Sequence, residues 1–100
     1  MTIAFAPNGP TVLVNGSATQ IAPGSTMSVQ GYRVRNLSSS VQYFTHGQTG
    51  VTSAGAPSAG SPTVNTIGMI GNSVEVFSGL LPFAIASTAT GFEFTPGDGV

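Results

Sequence analysis

The sequence predicts an all-β domain: an antiparallel β-sandwich of eight or nine short strands, jelly-roll-like in arrangement. Three observations carry this. Apolar and polar residues alternate over short runs, the two-residue period of a half-buried strand. The runs are separated by clusters of Gly, Pro, Asn and Ser, which supply the backbone angles that tight turns need. No segment sustains the apolar spacing of a helix between capping residues.

Residues 1–10 contain one short apolar piece, Ile3 to Ala6, followed by Pro7 and Pro10. Proline removes a ladder donor and fixes φ, so this segment is expected to be an edge strand or an arm leaving the domain. Residues 11–100 read as a single sandwich domain. Thr11 to Val14 is a compact strand, Asn15 and Gly16 suit a type I′ turn, and Ala18 to Ile21 returns after it. Pro23 and Gly24 make a further turn. In the next strand, Met27 to Asn36, the apolar parity changes between Val29 and Tyr32, which predicts a bulge or bend at Gly31.

The stretch Tyr32 to His46 holds both arginines, both tyrosines and the only histidine of the chain. Tyr32 and Val34 alternate with Arg33 and Arg35, and Val41, Tyr43 and Thr45 alternate with Gln42, Phe44 and His46. With the polar Asn36 to Ser40 between them, the two runs read as a central hairpin. Residues 47–63 form a long loop rich in small residues, with Val51 its only large apolar side chain. Loops of this length are usually either mobile or functional, and both readings stand. The second half is dense in strands: Val64 to Ile70, a turn at Gly71 and Asn72, Val74 to Ser78, a turn at Gly79 to Pro82, Phe83 to Ser87, and a last strand in which Phe92 and Phe94 flank Glu93.

Charge is the unusual quantity. Charged residues make up 5% of the chain, against about 25% in ordinary globular proteins. A formal net charge of −1 gives little repulsion between copies, which favours assembly. Binding a phosphate backbone takes clustered Lys and Arg, so two arginines and no lysine argue against nucleic acid as a partner. No apolar run is long enough to cross a bilayer, and the first residues lack the basic start and long apolar centre of a secretory signal. The expectation is a soluble chain made in the cytoplasm, with no membrane partner. Cysteine is absent, so neither disulfides nor thiolate ligands are available.

Acid and base chemistry would have to come from His46, Glu75, Glu93 and Asp98. Glu75 and Glu93 each alternate with apolar residues, which favours solvated positions or cross-strand ion pairs with Arg33 and Arg35 over a catalytic carboxylate pair. His46 has no second histidine or cysteine with which to hold a transition metal, and the tail around Asp98 has no spaced acidic loop for calcium. No nucleophile elbow or phosphate-binding glycine loop occurs. The expectation is no catalytic residue, no cofactor and no metal.

The pieces YRVRN, YFTHG, NSVEVFSG and the closing GFEFTPGDGV together resemble the small β-sandwich decoration, or cement, proteins of tailed bacteriophages. The resemblance covers roughly Tyr32 to Val100. It rests on an arginine-bearing strand, a Gly/Ala/Pro/Thr loop, a V-E-V-F strand and a terminal T-P-G, in that sequence. It implies a structural, non-enzymatic protein of the virion, made in the host cytoplasm and bound to the outer surface of the capsid. Its partners would be the major capsid protein and further copies of the chain, as a trimer or dimer. On that reading the contact segments are residues 1–10 and 47–63, with Ile3, Phe5, Pro7, Pro10, Val51, Pro57 and Pro62 as interface residues. The rival is a tail-associated or host-surface β-module that recognises a glycan through the long loop; an enzyme ranks third.

Overall fold

The computed structural model describes residues 6–7, 9–21, 31–48, 51, 54–56, 58–60 and 63–98. Among these residues nine strands form, all paired antiparallel: β1 (Ala6–Pro7), β2 (Val12–Val14), β3 (Thr19–Gln20), β4 (Gly31–Asn36), β5 (Gln42–Gly47), β6 (Thr66–Met69), β7 (Val74–Phe77), β8 (Phe83–Ala86) and β9 (Phe92–Asp98). Sheet I has the order β1-β9-β4-β7, with β2 also on β9; sheet II has the order β3-β8-β5-β6.

These pairings are those of one long hairpin rolled up. β5 and β6 lie nearest its connecting loop, and the pairs β4 with β7, β3 with β8 and β2 with β9 follow outward. Rolling the strip brings β9 onto β4 and β8 onto β5, which closes two sheets over one core. The result is a jelly roll, the expected architecture. From β2 onward, every connection except that between β5 and β6 changes sheet. β1 and β2 share one side of β9, Ala6 and Pro7 opposite Asp98 and Gly97, and Val12 to Val14 opposite Phe94 to Phe92.

Two expected hairpins are therefore corrected. β4 and β5 do not pair; they face each other across the core, and residues 37–41 arch between the sheets. β2 and β3 also lie in different sheets, and neither Asn15 nor Gly16 has the positive φ that a type I′ turn demands. The chain leaves β9 at Asn15, whose carbonyl accepts the N–H of Ala86 on β8 at 2.8 Å, and this commits it to sheet II. The bulge predicted at Gly31 turns on Met27 and Val29, which lie outside the described residues. Gly31 itself opens β4 opposite Gly97.

The core is built on Phe44. Its ring meets Phe92 and Phe94 edge-on, with centroids 5.2 and 5.0 Å apart, and Phe77 at 5.9 Å. Edge-to-face packing places the positive rim of one ring on the negative face of another. Around this cluster Val14, Ile21, Val34, Met69, Ala84 and Ala86 are buried. On β8 the small residues turn inward, while Phe83 and Ile85 take the outer parity. Phe44 stands opposite Ala86 in the register, so its ring fills the space the alanines leave.

Candidate functional site

The strands divide the charge of the chain unequally. Arg33 and Arg35 lie on β4, Glu75 on β7, and Glu93 and Asp98 on β9, so all five charged residues belong to sheet I. Sheet II has none, and His46 is its one titratable side chain among the acids, bases and histidine. The two outer faces therefore have different chemistry.

On sheet II, Phe44, Met69, Ala84 and Ala86 point inward. Tyr43, opposite Gly68, and Thr45, opposite Thr66 and Ile85, have the other parity and form the outer face. One register step further, Val41 and Ile70 continue this parity, 51% and 69% exposed. Gly68 is bare because the Tyr43 ring lies over it: a Cβ there would come 2.7 Å from Tyr43 Cε2. An aromatic ring over a glycine in an edge strand fills the missing side-chain contact. The threonine and serine hydroxyls of this face are occupied with one another and with their neighbours. The Thr66 hydroxyl donates to the Val64 carbonyl at 3.0 Å, which leaves the Thr45 hydroxyl to donate to Thr66 Oγ1 at 2.7 Å. Ser87 Oγ accepts the Tyr43 N–H and donates to Gln42 Oε1, both at 3.0 Å. A shallow groove of about 220 Å³ runs here between Thr45 and Thr66 of the sheet, the loop residues Ala54 and Gly55, and Thr63 and Val64. Part of the long loop thus lies against this face, and Val64 is 76% exposed at its rim. Among the described residues β6 is the edge of the sheet, with neither a lysine nor a proline in it to discourage pairing with another strand.

On sheet I, the register sets Arg33 opposite Thr95 and Val76, and Arg35 opposite Glu93 and Val74. A groove of about 380 Å³ lies over them, lined by Arg33, Arg35, Asn72, Val74, Glu93 and Thr95. Of the expected ion pairs the structure forms one among the described residues, Arg35 with Glu93 at 4.0 Å, both well exposed. Exposed pairs of this length add little stability. Glu75 is corrected: it stands opposite Val34, so its parity carries it to the other side of the sheet from both arginines. It escapes burial only because β7 is an edge strand.

The residue that sequence reasoning missed is Asn36. It is fully buried, and its Nδ2 donates toward the carbonyls of Ser40, Met69 and Ile70, each at 3.1 Å, while its Oδ1 accepts the Ser38 N–H at 2.9 Å. It ties the arch after β4 to the arch after β6, and Gly71 packs there against the backbone of Ser39 and Ser40 so tightly that no Cβ fits. The signal was present in the sequence: Asn36 shares the parity of Tyr32 and Val34, and so had to point into the core.

His46 sits on the inward parity, opposite Ala84, near one end of sheet II. Its Nδ1 accepts the Leu81 N–H at 3.1 Å, which fixes the neutral tautomer with the proton on Nε2. Burial lowers its pKa below the ordinary histidine value. Burial also raises the pKa of Tyr32, whose ring meets Phe94 edge-on at 6.4 Å. Among the described residues no three of His, Asp and Glu gather as metal ligands would.

Of the interface residues expected from the sequence, Pro7 and Pro10 are exposed on the β9 side of sheet I, and Val51 is half-buried. Ile3, Phe5, Pro57 and Pro62 lie outside the described residues. No protein family, curated protein or solved structure matches this chain.

Proposed function

We propose that this chain is a structural protein of a phage virion, binding the outer surface of the capsid and stabilising or decorating it in many symmetry-related copies. One observation carries the reading: an entire sheet without charge, whose outer face exposes Val41, Val64 and Ile70 beside β6, the last strand of the sheet among the described residues. Contact between such faces desolvates no ion, so close packing against copies of the chain and against a shell meets little electrostatic cost. Edge pairing or symmetric association at β6 would also cover the ladder groups of a strand that carries neither lysine nor proline. The major capsid protein is the second partner on this reading, and a trimer or dimer the form that binds it.

The test uses shells stripped of the chain. Purified protein added back should sediment with them, and its copy number per particle should be in the hundreds. A count of a few to a few dozen, or binding confined to tails, would instead indicate a tail-associated module.

A further inference from the structure

We propose that the groove over β4 and β9 binds a single carboxylate, carried on an extended, otherwise apolar segment of a protein partner. Arg33 and Arg35 stand two residues apart on β4, so both guanidinium groups emerge on the same outer face. Glu93 lies 4.0 Å from Arg35, while neither Glu75 nor Glu93 comes within that distance of Arg33. Two cations and one anion leave the groove with one uncompensated positive charge, which one carboxylate neutralises. A phosphate dianion would overshoot and sit beside Glu93. The Thr95 hydroxyl shares a hydrogen bond with Thr11 Oγ1 at 2.8 Å and Asn72 lines the groove beside it, but the guanidinium forks supply its only positive charge, and their planar geometry matches a carboxylate in two parallel bonds.

The surroundings favour a peptide over a sugar. The row of residues through Arg35 reads Leu13, Glu93, Arg35, Val74 across β2, β9, β4 and β7. Leu13 and Val74 are each 52% exposed, so apolar side chains flank the ion pair on both sides. No aromatic ring lines the groove to stack on a sugar ring. An acidic residue between two aliphatic ones meets these contacts at once. Only the partner's identity, a shell subunit, rests on the function proposed above; the carboxylate site does not.

The experiment follows the backbone amides and arginine Nε–H signals of the full chain by NMR at low salt. The probes are acetyl-Ala-Val-Glu-Val-Ala-amide, the same peptide with Gln for Glu, inorganic phosphate and N-acetylneuraminic acid. The Glu peptide should move the signals of Arg33, Arg35, Val74 and Thr95, and added salt should reverse the shifts. Arg33→Gln should weaken its binding about tenfold while amide signals away from the groove stay in place. The Gln peptide should leave the spectrum unchanged. The inference is overturned if the Glu and Gln peptides bind alike, if Arg33→Gln binds as the parent does, or if phosphate or N-acetylneuraminic acid binds as well as the Glu peptide. Shell sedimentation is a separate readout: peptide binding without shell binding overturns the capsid reading and keeps the carboxylate site.

Discussion

The side-chain amide of Asn36, at the end of β4, donates to the carbonyl of Met69, at the end of β6, at 3.1 Å. That contact joins sheet I to sheet II inside the molecule and holds two arches in register. Asn36→Ala leaves the carbonyls of Met69 and Ile70 without this donor, so stability should fall by about 3 kcal/mol. Asn36→Asp keeps the shape but turns a carboxylate oxygen toward three carbonyls. Its folded pKa should therefore be raised, and the stability it contributes is present below the ordinary aspartate value near about 3.9 and lost as pH rises through the folded value. Urea unfolding at neutral and acid pH checks both. An Asn36→Ala loss below about 0.5 kcal/mol, the range of an ordinary surface substitution, would remove Asn36 from the account.

Gly91 is held at φ 87°, and a Cβ there would lie 2.5 Å from the Val14 carbonyl oxygen. Both strain and clash act against a side chain, so Gly91→Ala should cost about 2 kcal/mol or more. Gly16 has open space around it and no positive φ. Gly16→Ala should be neutral, or stabilising by about 0.5 kcal/mol through the unfolded chain. Thermal unfolding of the two variants side by side separates the positions, and equal effects would contradict the geometry.

His46 accepts a backbone N–H through Nδ1, so protonation there forfeits the bond. Its folded pKa is depressed, and the sign follows: the stability is present above the unfolded value, about 6.5, and is lost as pH falls through the lowered folded value. Stability should decline on acidification from pH about 6.5 downward, and His46→Gln should flatten that part of the profile. A profile of unchanged slope in the variant would place the transition elsewhere.

Phe44 makes three edge-to-face contacts in the core. Phe44→Ala should cost about 3 to 5 kcal/mol, because the alanines of β8 cannot move in to fill the space. Phe44→Leu should lose less. Chemical denaturation measures both, and a smaller loss for alanine than for leucine would contradict the packing described.

Ile70 is exposed on the charge-free face, so Ile70→Lys should change stability by no more than about 0.5 kcal/mol. It should nonetheless weaken the self-association proposed for this face, since each contact would then bury an ammonium group. Sedimentation velocity over a range of concentrations reads this out. Lysine at the exposed Ser78, in the turn after β7 on sheet I, is the control and should leave association intact.

The class of fold was legible because alternation and turn chemistry are local. Val12 and Val14, Tyr32 and Val34, and Phe92 and Phe94 all turn to the core as their spacing requires. Strand partners were not legible in the same way. A polar turn between two alternating runs reads alike whether the runs pair or arch apart, and the deciding contacts, Asn15 with Ala86 and Asn36 with Met69, span 71 and 33 residues. The site followed the same rule. The scarcity of charge was visible in the sequence, but its confinement to sheet I depends on β4, β7 and β9 being neighbours, which only the rolled topology makes them. Glu75 was assigned to the arginines because the alternation of β7 does not say which of its parities meets β4 on the outer face.

If the uncharged face of sheet II is the contact surface of the proposed assembly, a cryo-EM reconstruction of the capsid with and without the chain should show added density at many symmetry-related positions on the outer shell, with the face bearing Val41, Tyr43 and Ile70 buried against a neighbouring copy or the shell. Density absent from the shell, or present with that face open to solvent, would contradict the proposal.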